Sequence, residues 1–231
     1  MKAAIINAIT KAKSRKSLYH FTRVTNLSAI AHYDALLSSY NISPHLAGER
    51  RSEARVVNYY EFSVTLNAHL RIPDSMIDHG ITQEQFRECL NRHVFFWPTL
   101  KDCQKMMDTY ARREPEEGFA VLEFDANSLL AEHFSSVKLS KYDSGSSPRF
   151  PKHCSYKKSL AMFLPLRSFK SIMNKLVPTN ASEIKEVLIE DQVNNVSQYL
   201  RTVYVDSSKV IPLCWRDLAK PMGDLQVIKS E

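Results

Sequence analysis

The sequence predicts an α+β fold. Three observations carry that prediction. Short apolar or alternating runs such as SLYHFT, HVFFWP, GFAVLEFD and KEVLIE read as strands. Helical stretches stand between them without the regular strand–helix alternation of a doubly wound sheet. The chain of 231 residues has only five glycines, and neither GxGxxG nor GxxxxGK[ST] occurs, which argues against a dinucleotide-binding Rossmann domain and a P-loop NTPase.

Taken in order, residues 1–16 form a basic stretch free of acids. Ile5, Ile6 and Ile9 fall on one helical face, so this reads as a docked amphipathic helix, with a mitochondrial presequence as the alternative by composition; it lacks a secretory apolar core and cleavage site. SLYHFT follows as a strand, then NLSAIAHYDALLSS as a helix capped near Thr25 or Asn26. The mixed, charged stretch ISPHLAGERRSEARVVNYYEF leaves room for a short helix. Thr82 with Gln85 three residues on makes a capping box for TQEQFRECLNR. HVFFWP is a buried strand ended by Pro98, and TLKDCQKMMDTYARRE is helical. GFAVLEFD is a strand, ANSLLAEHF a short helix or turn, and SSVKLSKY a strand. A polar, turn-rich stretch precedes LAMFLPLRSF. EIKEVLIEDQV is read as one strand, and VNNVSQYLRTVYVD as a helix or turn and a strand. The tail from 207 to 231 shows no clear pattern. The whole chain is read as a single domain.

Bulk properties narrow the partners. The net charge of +6 favours anionic ones. Cys89, Cys103, Cys154 and Cys214 form no CxxC pair, and no HExxH or HxH occurs. The cysteines read as free thiols in a reducing compartment, and no metal is expected. No run of ~18 apolar residues exists, so no membrane span is expected and a cytoplasmic location is.

Four features could carry chemistry. Residues 138–176 hold nine cations against one acid, Asp143, hence +8. Arg149, Lys152, Lys157 and Lys158, with Tyr156 among them, suit single-stranded nucleic acid: cations meet phosphates and rings stack on bases. The alternative is a solvated loop. Glu186 interrupts an apolar strand, so it either faces solvent or is held in a site. The aromatics of HVFFWP are core, or line a pocket for a planar ring. Arg50, Arg51 and Arg55 either clamp a pyrophosphate or sit on a solvated face beside Glu49 and Glu53.

In order and spacing, LYHFTRVTNLSAI, VFFWP, AVLEFDANSLL and KEVLIEDQV resemble the DarT-like ADP-ribosyltransferases and their bacterial relatives, from about Leu18 to Val205. The basic N-terminal helix (1–16) and the C-terminal extension (207–231) lie outside the resemblance. It implies a split, mainly antiparallel sheet with surrounding helices around a cleft for NAD. It implies transfer of ADP-ribose to a nucleic-acid base, by a toxin restrained by an antitoxin and often directed against phage. It places His20 and Thr22 at NAD, Phe96 and Trp97 near the nicotinamide, Glu186 as the catalytic glutamate, and Arg51 on that glutamate or on a phosphate. The pattern departs from DarT at Pro98–Thr99–Leu100, where an arginine-containing loop belongs, so thymine in DNA does not carry over as the target. The competing readings are an RNA 2′-phosphotransferase, a non-catalytic nucleic-acid-binding module and a protein-directed transferase.

Overall fold

The computed structural model describes residues 1–227. Its elements are, in chain order, α1 (Lys2–Thr10), β1 (Ser17–Arg23), α2 (Leu27–Tyr33), β2 (Ala35–Leu37), α3 (Ser39–Ile42), β3 (Arg55–Tyr59), β4 (Phe62–Leu66), α4 (Gln83–Asn91), β5 (His93–Phe96) and α5 (Leu100–Arg113). There follow β6 (Phe119–Asp125), α6 (Ala126–Glu132), β7 (Val137–Ser140), β8 (Phe163–Pro165), β9 (Glu186–Glu190), β10 (Gln192–Asn194), α7 (Val196–Tyr199), β11 (Leu200–Val205), β12 (Ala219–Pro221) and α8 (Met222–Val227). The class is α+β, as the sequence predicts.

Two four-stranded sheets carry the fold. One has the order β1-β6-β11-β12, antiparallel except for the β11–β12 pair. The other, β5-β9-β7-β8, is wholly antiparallel. Their edges meet at one place. Tyr19 N–H donates to the Trp97 carbonyl at 3.0 Å, and Trp97 N–H donates back to Tyr19 at 2.8 Å. Beyond that bridge β1 and β5 diverge, and the gap between them is the cleft.

Burial follows strand periodicity. On β9, Val187 and Ile189 join the main core with Val94 and Phe96 of β5. Leu188 packs on the opposite face with Phe86 and Leu90 of α4. Both faces are covered, so the sequence reads as a continuous apolar run. Helices α1 and α6 close the main core, with Ile6 and Ile9 of α1 buried as the docked-helix reading expects. The flank of β1 and β6 that carries Phe21 and Val121 packs on α5 through Cys103 and Tyr110.

Three stretches differ from the sequence reading. The helix expected over 26–39 ends at Tyr33, because Asp34 takes a left-handed conformation (φ 46°) and its carboxylate accepts from Ser197 N–H (2.7 Å) and Oγ–H (2.9 Å). An Asp tolerates that region, and here tertiary bonds hold it there. Asp191 (φ 62°) likewise breaks the strand expected over 183–193 into β9 and β10, and β10 pairs with β2. The stretch over 42–62 holds a short 3-10 helix at Pro44–Leu46, as expected, but then also forms the first strand of the unexpected β3–β4 hairpin, turning at Tyr60 (φ 49°). No Asn-Gly or Asp-Gly marks that turn, so the sequence gives no hairpin signal. The tail docks as well: β12 adds an edge strand, and Trp215 and Leu225 are buried. Residues 228–231 of that extension lie outside the described residues.

Asn26 fixes the hairpin to the core. Its side-chain amide donates to the Thr65 carbonyl (3.0 Å) and its Oδ1 accepts from Thr65 N–H (2.8 Å), as a neighbouring strand would. Asn26→Ala leaves both backbone groups of Thr65 without that partner, and is expected to destabilise the chain by about 1–3 kcal/mol in urea unfolding. An unchanged midpoint would show that the hairpin is held elsewhere.

Candidate functional site

The cleft encloses a cavity of about 680 Å³, within the range of small-molecule sites. His20, Thr22, Arg51, Trp97 and Glu186 all line it, although they are spread over 166 positions of sequence from first to last.

His20 stands where β1 and β5 part. Its Nδ1 lies 2.8 Å from the Phe95 carbonyl oxygen, which can only accept, so Nδ1 carries the proton. The ring therefore bridges the split that backbone pairing no longer spans, and Nε2 keeps a lone pair. Burial, partly offset by the bond to Phe95, lowers its pKa to about 4, so the ring is neutral at physiological pH.

Glu186 opens β9 and is 2% exposed. Its register on the strand places it on the Leu188 face, away from Val187. Ser144 holds the carboxylate twice, through its N–H (3.1 Å to Oε2) and its hydroxyl (2.6 Å to Oε2). Burial, reinforced by Asp143, raises the Glu186 pKa to about 8; the bonds from Ser144 and the charge of Lys158 oppose the rise.

Arg51 occupies another wall. It is 6% exposed, and among the described residues no carboxylate lies within ion-pair distance of it. Neutral acceptors hold it instead: Nε donates to the Asn67 carbonyl (3.1 Å) and Nη2 to Asn91 Oδ1 (3.1 Å). The Arg51 N–H donates to His69 Nδ1 (3.0 Å), so His69 carries its proton on Nε2 and donates to Asn91 (3.0 Å). Burial lowers the Arg51 pKa to about 10, still charged at neutral pH, and burial with the Arg51 charge lowers that of His69 to about 4. Arg50, Arg71 and Arg87 also line the cavity, against the acids Asp74 and Glu186. That donor set suits a diphosphate.

Other expected positions divide. Arg51 makes no hydrogen bond to Glu186, so it does not hold that carboxylate. Phe96 is fully buried in the main core and does not line the cavity; Phe95 and Trp97 do, because alternate strand residues share a face. Lys158 is 0% exposed, with Nζ on the carbonyls of Asp143 (2.6 Å) and Ser144 (2.9 Å), so it is not open to a nucleic-acid phosphate. Lys157 is exposed but its Nζ donates to the Ser75 carbonyl. Tyr156 stacks on Tyr142 with ring centroids 3.8 Å apart. Arg149 is exposed, against the Phe150 ring. The Lys152 side chain lies outside the described residues. Within the +8 segment, Lys138 pairs with Glu190 and Lys141 with Glu183, so part of its charge is neutralised from outside.

Sequence reasoning missed Phe95, Ser144 and the Asn67–His69–Asn91 frame around Arg51. Period-two alternation along HVFFWP carried the signal for Phe95. The other groups act through contacts distant in sequence and left none. Among the described residues no cluster of metal-ligating side chains occurs, and no helix is long and apolar enough to cross a membrane.

The chain belongs to the family described as a family of unknown function, DUF7002, whose model matches residues 16–200. No curated protein matches it. Among solved structures it is similar to Thermus sp. 2.9 DarT in complex with NAD+, with 15% identity over 85% of this chain and 84% of that chain and a TM-score of 0.37.

The Glu186 carboxyl ties stability to pH. Its pKa rises from 4.5 unfolded to about 8 folded, so between those values the folded chain keeps a proton that the unfolded chain has released. This contribution to stability is complete below pH 4.5 and is lost as pH rises through 8. Glu186→Gln cannot titrate. Its stability relative to wild type is expected to grow across that window and level off above it, by a few kcal/mol in urea unfolding at successive pH values. Parallel curves would place the folded Glu186 at an ordinary carboxyl pKa.

Proposed function

We propose that this chain is an NAD-dependent ADP-ribosyltransferase that moves ADP-ribose from NAD to a base of single-stranded RNA or DNA. The observation that carries the reading is the buried Glu186 carboxylate, held by Ser144 in a cleft that His20, Thr22, Arg51 and Trp97 also line. These are positions that the family resemblance assigns to NAD and catalysis.

The residues divide the work by charge. Arg51, buried without a carboxylate partner, supplies a fixed positive charge for the pyrophosphate. Nε2 of neutral His20 accepts a hydrogen bond from a ribose hydroxyl, with the ring held in place by Phe95. Trp97 offers a flat face to the nicotinamide. The bond from C1′ to the nicotinamide nitrogen breaks, and its electron pair leaves with nicotinamide. The sugar passes through an oxocarbenium-like state, which ionised Glu186 stabilises. The acceptor nitrogen then bonds to C1′, and its proton passes to the carboxylate.

A base inside a duplex cannot reach such a cleft, so the acceptor is single-stranded or flipped out. Arg149, Lys157 and Tyr156 are the groups of the basic segment proposed to face it. A toxin role and an antitoxin partner follow from the resemblance alone. A 2′-phosphotransferase does not depend on one carboxylate, which separates that alternative by experiment.

Wild type is incubated with radiolabelled NAD and separate pools of RNA, single-stranded DNA and protein, beside Glu186→Gln. Label on RNA or DNA is expected, with kcat/KM for nicotinamide release lower in the variant by about 10²–10⁴-fold. Because the ionised form works and the free carboxyl titrates near pH 8, kcat/KM is expected to rise with pH to a plateau, with its midpoint near 8. The cationic nicotinamide ring of bound NAD lowers that midpoint in kcat. Label on protein alone would reject the nucleic-acid acceptor, and NAD left intact in every pool would reject the transferase.

A further inference from the structure

One group beside Glu186 has no part in the reaction as proposed. Lys158 is a fully buried lysine, and its neighbour Lys157 is exposed. Its Nζ donates to two successive carbonyls, Asp143 at 2.6 Å and Ser144 at 2.9 Å. The same Ser144 turns its N–H and hydroxyl to the Glu186 carboxylate. An ammonium, a peptide and a carboxylate thus stand in series, and Gly145, the next residue, lines the cavity.

The backbone of Lys158 is pinned independently. Its N–H donates to the Met76 carbonyl (2.7 Å), and its carbonyl accepts from Asp78 N–H (2.9 Å). Asp74, two residues before Met76, lines the cleft. The loop that carries Ser144 is braced from its other side, where the Ser140 hydroxyl donates to the Tyr142 carbonyl (2.7 Å) and Tyr142 stacks on Tyr156. A buried ammonium is costly, and this one is placed where its donors do the most to hold one peptide.

We propose that Lys158 is a positioning residue for Glu186: its ammonium fixes the carbonyls of Asp143 and Ser144 so that the Ser144 N–H and hydroxyl stay aimed at the carboxylate. The inference rests on the reading of Glu186 as the catalytic carboxylate. The groups that bear on that carboxylate are Asp143 and Ser144 from the loop, Lys158 behind it, and Tyr156. Among them Lys158 alone brings positive charge. Removing it both loosens the loop and leaves the carboxylate harder to ionise.

The test follows the carboxyl signal of Glu186 by carbon-13 NMR in chains labelled on glutamate, assigned by its loss in Glu186→Gln. In Lys158→Gln, which keeps a donor but not the charge, the Glu186 midpoint is expected to rise by about one pH unit. The kcat for nicotinamide release is expected to fall about 100-fold while KM for NAD changes by less than about threefold. Lys158→Arg keeps the charge and is expected to return the midpoint to the wild-type value. An unmoved midpoint in folded Lys158→Gln would overturn the proposal. Wild type gives a second reading that needs no variant: the nitrogen-15 signal of the Lys158 ammonium should shift at the pH where Glu186 titrates, as coupled groups do. A Lys158 signal blind to that step would overturn the proposal equally. Should wild type release no nicotinamide, the transferase reading falls, and both NMR readings still decide the link between Lys158 and Glu186.

Discussion

The cleft depends on how little backbone pairing joins the two sheets. One pair of backbone bonds, between Tyr19 and Trp97, ties β1 to β5. Further pairing along these edges would close the sheets into one and abolish the cavity. The His20 ring takes over where the backbone stops, donating to the Phe95 carbonyl across the opening. A buried carbonyl left without a partner is expensive, so that bond stabilises the edge as well as orienting the ring. A side chain that donates from one nitrogen and keeps a lone pair on the other is what such a position needs. Lysine offers no acceptor, and a carboxylate offers no donor to Phe95.

Two charged groups are buried around this opening, and the fold treats them differently. Arg51 is surrounded by neutral acceptors, Asn67, Asn91 and Ser39, and by a neutral His69. Among the described residues no carboxylate within ion-pair distance cancels its charge, so its field is available to whatever enters. Glu186 is handled by burial: the desolvation that raises its pKa to about 8 keeps it protonated at neutral pH, and a cation beside it favours the ionised form. A cleft with an uncancelled cation on one wall and a reluctant anion on another favours a molecule that carries phosphate at one end and positive charge at the other.

The sequence made some of this legible and hid the rest, for physical reasons. His20, Thr22 and Glu186 sit in strands whose apolar frames are visible, so the polar residue inside each frame stands out, whereas Trp97 continues its apolar run. The capping box at Thr82 forms as read, because its bonds are local. The resemblance places Phe96 near the nicotinamide, but a strand sends successive side chains to opposite faces, and Phe96 falls on the core face. Nothing local demands the breaks at Asp34 and Asp191: Asp34 is held in its left-handed conformation by Ser197, 163 residues away. The basic segment looked uniform in composition, yet the fold sorts its lysines into a buried one, two paired with distant acids and others left on the surface.

That sorting changes what the basic segment can do. A groove that tracked a nucleic-acid backbone with all nine cations would bind by charge alone and lose affinity steeply with salt. Lys138 and Lys141 spend their charge on Glu190 and Glu183, and Lys158 turns inward to Ser144. The remaining exposed cations, Arg149 among them, are accompanied by exposed Phe150 at 62% and Met173 at 72%. For the proposed nucleic-acid acceptor, fewer phosphate contacts and more apolar surface favour a stacked base over the backbone. Under the proposed function the segment serves two ends at once: its outer face meets the acceptor, and its inner face, through Lys158 and Ser144, holds the carboxylate that acts on it.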